Sequence, residues 1–117
     1  MVTGSSRGIG AAVAEGLAAA GADVAIHCAG RMEKALEVAG RIQGLGRQAP
    51  VIRADLGESG GPSSLYEKAL AALGQLDILV LNASVQFRRD WSEYDRKEVD
   101  ELLAVNVRSS YELMTLA

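Results

Sequence analysis

The sequence is poor in the residues that most narrow a function. Its 117 residues include one cysteine, Cys28, and one histidine, His27. A single thiol excludes an internal disulfide, and the lack of a Cys/His cluster leaves zinc without a ligand set. A reducing cytoplasm is the expected compartment. There is no basic stripe either: twelve Lys and Arg against fifteen Asp and Glu give a formal charge of -3, which argues against nucleic acid as a partner. The longest strongly apolar run, Ile78 to Leu81, is far too short to cross a bilayer, and no basic-then-apolar signal pattern opens the chain. A soluble, unexported protein without a membrane segment is expected, of one domain at most.

What is present is an alternation of strands and helices. From Gly8, the apolar residues Ile9, Val13 and Leu17 recur at every fourth position and Gly21 closes the run, which predicts a helix with a glycine cap. Val24 to Cys28 reads as a short strand, preceded by Asp23 as a solvated turn residue. Met32, Leu36, Ala39 and Ile42 make the stripe of a second helix that stops at Gly44-Leu45-Gly46. In the following strand, "QAPVIRADL", Pro50 lacks the amide hydrogen that a central strand must donate, so this strand belongs at a sheet edge. "GESGG" leads through Pro62 into a helix carrying Leu65, Ala69, Leu70 and Leu73. The unbroken apolar centre of "LDILVLNAS" suits a parallel strand buried on both faces. Asp95 with Glu98 forms a capping box for a long last helix bearing Val99, Leu102, Leu103, Val107, Ser110 and Met114, a stripe that reads as core. Such alternation predicts an α/β fold of parallel βαβ units.

In "TGSSRGIG" the glycines fall at 4, 8 and 10, directly ahead of the first helix. Backbone can approach a ligand closely there, and a helix N-terminus offers free amide hydrogens to a pyrophosphate. With "ADL" at one strand end, "LNAS" at the next and "AVNVRSSYELM" in the last helix, the chain resembles the short-chain dehydrogenase/reductase family over its whole length, and its 3-oxoacyl-ACP reductase-like members in particular. The resemblance implies a Rossmann-type, doubly wound parallel sheet. Residues 1–117 then form a partial NAD(P)-binding domain, with the first strand cut to Met1 and Val2 and the C-terminal half of the family fold missing. Thr3, Gly4, Ser6, Gly8 and Gly10 are implied to line the cofactor diphosphate, with Ile9 packing nearby, and Asp55 and Leu56 to border the adenine. Asn82 and Ala83 match the middle of the family's N-N-A-G at the cofactor ribose, whereas Leu81 replaces its first Asn and Ser84 its Gly. Ser84 adds a hydroxyl able to bond to the cofactor.

A carboxylate at the end of the second family strand would bind a ribose 2′-hydroxyl and repel a 2′-phosphate. Here the strand ends "HCAGR", with no acid. Arg7, in the glycine turn, and Arg31, just beyond the strand, can hold a 2′-phosphate by charge-assisted hydrogen bonds. NADP(H) is therefore expected over NAD(H).

The family's catalytic tyrosine and lysine lie in a Y-x-x-x-K pair on one helix face, and no lysine here has a tyrosine four residues before it. Of the implied catalytic residues only Asn106, in "AVNVRSS", is matched: the helical asparagine whose backbone holds a water in the proton relay, or a polar residue bonding at a helix interface. His27 reads as packed or surface-exposed, Cys28 as a small buried apolar group, and Arg88 and Arg89 as solvated or as a pair that meets an anionic substrate or carrier. Trp91, with Phe87 and Gln86, is either substrate wall or simple packing.

The implied function is NADP(H)-dependent hydride transfer between nicotinamide and a small carbonyl or alcohol substrate, with a 3-oxoacyl thioester as the most typical one. The implied assembly is a homo-oligomer, dimer or tetramer, of the full-length protein, with the last helix as a common contact. The alternative is a non-catalytic dinucleotide-binding module or inactive fragment; a Rossmann-like methyltransferase would want an acid where "HCAGR" has none. With a central strand of two residues, a fragment unstable as a free monomer is expected.

Overall fold

A computed structural model describes all of residues 1–117. Strands β1 (Ile26–Cys28) and β2 (Val51–Arg53) pair in parallel, with Ile26 opposite Val51 and Cys28 opposite Arg53. On the other side of β1, Val2 bridges Ile26, and beyond it Val80. The order across the sheet is thus β2, β1, Val2, Val80, all parallel. β2 has a sheet neighbour on one side only. Pro50 lies just ahead of the strand and not within it, and its carbonyl faces β1, accepting from Ile26 N–H at 2.8 Å; its missing amide hydrogen therefore interrupts the pairing with β1 and does not mark the free edge.

Short as it is, the central segment is bonded on both sides. Val2 N–H donates to Ala25 O at 3.2 Å, Val80 N–H to Met1 O at 2.9 Å, and Thr3 N–H to Val80 O at 2.9 Å. Where Met1 to Thr3 run, neither inner row of backbone groups is left open. The expected buried strand "LDILVLNAS" nevertheless shrinks to the single bridge at Val80, with Ile78 about half exposed. A parallel ladder extends only as far as its partner, and only these few residues run beside it.

Side chains alternate across the sheet and feed two cores. Val2, Val24, Ile26 and Cys28 meet α1 (Gly8–Ala19) and α2 (Met32–Gly44) on one face. Met1, Ala25 and Ile52 meet α3 (Gly61–Leu73) and Leu113 of α5 (Ser109–Leu116) on the other. α1 buries the stripe of its large residues only in part, with Val13 and Leu17 packed at the margin of the core. Its buried face is Gly10, Ala11, Ala14 and Ala18, which let the helix lie close to β1, while Ile9 is 77% exposed. α2 similarly buries Ala35, Val38, Ala39 and Ile42 and leaves Leu36 outside.

Helix ends follow local chemistry. Gly21 (φ 101°) ends α1, and Gly60 and Gly74, both at φ 80°, bracket α3 in a left-handed conformation that glycine adopts without strain. The capping box forms as the sequence predicts: Asp95 Oδ1 accepts from Glu98 N–H at 2.8 Å, and Glu98 accepts from Asp95 N–H at 3.0 Å. Asp95→Ala should lower stability by about 1 kcal/mol, read as a smaller denaturant midpoint with an unchanged slope.

The long last helix is interrupted. α4 (Arg96–Leu103) passes through a π-helical turn, Ala104–Arg108, into α5. Across it the buried residues are Ala104, Val105, Ser109 and Leu113; Leu103, Val107, Tyr111 and Met114 all face solvent. The stripe expected to be core is therefore a surface, because the inward face goes to smaller residues. No helix is long and apolar enough to cross a membrane.

Candidate functional site

The chain leaves each of the four parallel segments at the same edge of the sheet, and the turns that follow enclose a cleft of about 750 Å³. Gly4 to Ile9 come from the central segment, Cys28 to Arg31 from the end of β1, Asp55 and Leu56 from β2, and Asn82 to Val85 from the bridge at Val80. Clefts at the carboxyl ends of parallel strands are where open α/β sheets bind ligands. α1 begins in this cleft with no side chain capping it, so its first amides are available to a ligand.

A buried hydrogen-bond frame shapes the glycine turn from beneath. The Thr3 hydroxyl accepts from Asn82 N–H at 2.9 Å and Ala83 N–H at 3.0 Å, and donates to Val80 O at 3.4 Å. The Asn82 amide returns the contact, donating to Thr3 O at 3.1 Å and Gly4 O at 3.3 Å. Ser5 locks the turn to β1: its hydroxyl donates to Val2 O at 2.8 Å and accepts from His27 N–H at 2.9 Å. The backbone is packed so closely that a Cβ on Gly4 would lie 2.9 Å from Ala83 Cα, and one on Gly10 would lie 2.4 Å from Gly4 O.

His27 belongs to this frame as well. The ring is buried, with Nδ1 2.9 Å from Gly4 N and Nε2 3.0 Å from Ala54 O. Burial pushes its pKa below the ordinary value, while the Ala54 contact and the Asp55 charge act the other way. Cys28 is buried as expected, and burial raises its thiol pKa.

Of the sequence-derived site residues, Gly4, Ser6, Arg7, Gly8, Ile9, Arg31, Asp55, Leu56, Asn82, Ala83 and Ser84 line the cleft together. Thr3 and Gly10 do not: both are buried beneath it and act on its shape. Asp55 is held by accepting from Gly57 N–H at 2.8 Å. Asn106 sits in the π-turn, outside the cleft lining, and clasps the Val85 backbone, accepting from N–H at 2.8 Å and donating to O at 2.9 Å.

Several expectations change. Asp23 is not a free turn residue; it accepts from Gln48 N–H at 2.8 Å and pairs with Arg47, tying β1 to the segment entering β2. Arg88 and Arg89 are exposed as expected; Arg88 also lines the cleft, and Arg89 pairs with Glu98 and lies over the rings of Phe87 and Tyr94. Trp91 is 82% exposed and outside this cleft, so it does not serve as packing. Sequence reasoning missed Ser5, His27 and Glu101. The first two bond to residues more than twenty positions away, which no local motif records.

Parallel strands in this order, helices on both faces and a glycine turn opening a helix at the cleft define a truncated Rossmann-type fold. A model of the short chain dehydrogenase family matches residues 1–117, and the chain belongs to that family. It is 37% identical over 111 residues to a probable tetrahydroxynaphthalene reductase of Zymoseptoria tritici, a match covering 95% of this chain and 42% of the relative. A short chain dehydrogenase from Burkholderia cenocepacia, solved in complex with NADP, superimposes with a TM-score of 0.93 at 40% identity, covering 97% of this chain and 46% of that one. The landomycin C-6 ketoreductase LanV, with bound NADP and rabelomycin, gives 0.91 at 38% identity, covering 99% and 50%. The chain thus spans about half the length of these relatives or less.

Proposed function

We propose that this chain supplies the NADP(H)-binding half of a short-chain oxidoreductase that transfers hydride between nicotinamide and a carbonyl or alcohol carbon. The observation that carries the reading is the cleft itself. The uncapped start of α1, the close-packed Gly4 and Gly10, and Arg7 and Arg31 converge on it, and no acid ends β1. A cleft of about 750 Å³ suits a ligand of dinucleotide class. The NADP held by the two similar structures supports the same choice.

In this reading the amides at the start of α1 hold the diphosphate, with Gly4, Ser6, Gly8 and Ile9 against it and Thr3 and Gly10 shaping the turn below. Asn82, Ala83 and Ser84 stand at the ribose and Asp55 and Leu56 at the adenine, while Arg7 and Arg31 take the 2′-phosphate. When bound there, NADP(H) supplies or accepts the hydride. Asn106 is assigned to the proton path: its side chain is already occupied by Val85, which leaves its backbone to hold water. For the substrate, the relatives named as a tetrahydroxynaphthalene reductase and a C-6 ketoreductase favour a ketone of a hydroxylated ring system over a 3-oxoacyl thioester. The exposed face of Leu103, Val107, Tyr111 and Met114 fits a contact between copies of the protein.

Calorimetric titration tests the cofactor assignment. NADP+ should bind more tightly than NAD+, and Arg31→Ala should weaken NADP+ by roughly 10-fold or more, the worth of one charge-assisted hydrogen bond, with little change for NAD+. Equal losses for the two dinucleotides would remove Arg31 from the 2′-phosphate site.

A further inference from the structure

We infer that His27 is a positioning residue for the glycine turn and that its protonation weakens dinucleotide binding; the second half of this inference rests on the cofactor reading above. The ring's two nitrogens face backbone groups of fixed polarity. Gly4 N–H can only donate, and it lies 2.9 Å from Nδ1; Ala54 O can only accept, and it lies 3.0 Å from Nε2. That pair settles the tautomer: Nδ1 bare, Nε2 protonated. The backbone of His27 is held as firmly, donating to Ser5 Oγ at 2.9 Å and accepting from Ser5 N–H at 3.0 Å. The imidazole therefore joins the turn after Thr3 to the segment after β2, two of the stretches that enclose the cleft.

A proton on Nδ1 turns an acceptor into a donor aimed at another donor. Either the ring or Gly4 must then move, and Gly4 has little freedom: it is at φ 64° with Ala83 packed against it. Burial opposes the charged ring, whereas the Ala54 contact and the Asp55 carboxylate favour it. Arg7, Arg31 and Arg88 and the carboxylate of Glu101 line the same cleft, and Cys28 follows on the strand.

The sign follows from linkage. The unfolded chain takes up the proton near 6.5 and the folded chain at a lower pH. The contribution of the neutral ring is whole above 6.5 and is lost as pH falls through the folded value. A dinucleotide that needs the turn held should lose affinity only as pH falls below the folded value, where the ring of the free protein takes up its proton, by at most about tenfold per pH unit for one proton. Phosphate charge alone would favour the cation and give the opposite sign.

The test compares NADP+ dissociation constants of the wild type, His27→Asn and His27→Gln between about pH 8 and pH 5. Asparagine places an oxygen near the position of Nδ1 and does not titrate; glutamine reaches toward Ala54 and abandons Gly4. Near neutrality His27→Asn should bind within about threefold of the wild type, and His27→Gln roughly tenfold more weakly. The 2′-phosphate of the ligand titrates in the same window, and the ratio of wild-type to His27→Asn constants removes its effect. That ratio should climb across the pH range in which the imidazole resonance itself titrates, by at most about tenfold per pH unit; a ratio that stays constant or falls across that titration overturns the inference. In the unliganded protein, the Gly4 amide resonance should titrate together with the imidazole and stand still in His27→Asn. If it does so but NADP+ fails to bind at any pH, the positioning role is supported, and the cofactor reading falls together with the effect on binding. A Gly4 amide indifferent to His27 protonation sinks the inference whatever NADP+ does.

Discussion

Gly10→Ala should cost about 2–3 kcal/mol of stability and weaken NADP+ binding by roughly 10- to 100-fold. The new Cβ would stand 2.4 Å from Gly4 O and 2.5 Å from Asn82 Nδ2, distances at which something must shift. Neither neighbour is a flexible side-chain tip. Gly4 O is backbone in a turn already at positive φ, and Asn82 Nδ2 is spent on Thr3 O and Gly4 O. Relief by moving α1 outward would separate Ala11, Ala14 and Ala18 from the core they share with Ile26. Gly16 of the same helix is the control, because nothing lies within 4 Å of the Cβ it would gain. Gly16→Ala should stabilise the protein by about 0.5–1 kcal/mol and leave NADP+ binding alone. Two glycine-to-alanine changes in one helix thus differ in sign, read by denaturant midpoint and by titration; a neutral Gly10→Ala would remove close packing as the reason for that glycine.

The second large effect is expected at Thr3→Val, which keeps the shape and removes the hydroxyl. That oxygen accepts from both Asn82 N–H and Ala83 N–H, and Thr3 itself is buried. Two amides without acceptors should cost about 2–4 kcal/mol together. Thr3→Ser, which retains the oxygen, should recover most of the loss. Because the same bonds hold Asn82 and Ala83 at the cleft, NADP+ affinity should fall with stability in Thr3→Val. An affinity unchanged in a destabilised Thr3→Val protein would show that the frame and the cleft are uncoupled.

Short-range signals were legible wherever the responsible groups are neighbours in sequence. The capping box at Asp95 and Glu98 is one, since both partners lie within a single turn. The glycine stops at Gly21 and Gly46 are others, because positive φ is a local requirement. The glycine turn ahead of α1 and the arginines beside it are local as well, so most of the cleft lining could be named residue by residue.

Readings failed where a distant surface decides. The period of Ile9, Val13 and Leu17 marks α1, but only Val13 and Leu17 pack against the core, partly buried; Ile9 is exposed, and the face nearest β1 is alanine, because small side chains let helix and strand approach. The last helix was expected to bury its large residues, and a π-turn with Ala104, Val105, Ser109 and Leu113 inside puts Leu103 and Val107 in solvent instead. Asp23 looked solvated until Arg47 and Gln48 were brought beside it.

The sequence by itself therefore determined the alternation of strands and helices, the caps and the glycine turn that opens the cleft, all of which depend on residues a few positions apart. Only the tertiary structure decided which helix faces are buried, how far the fourth segment pairs, and that Thr3, Ser5 and His27 hold the glycine turn from below. Those outcomes depend on contacts across 20 to 80 residues, where a hydrogen bond or a packed face exists only once the sheet has brought its partners together.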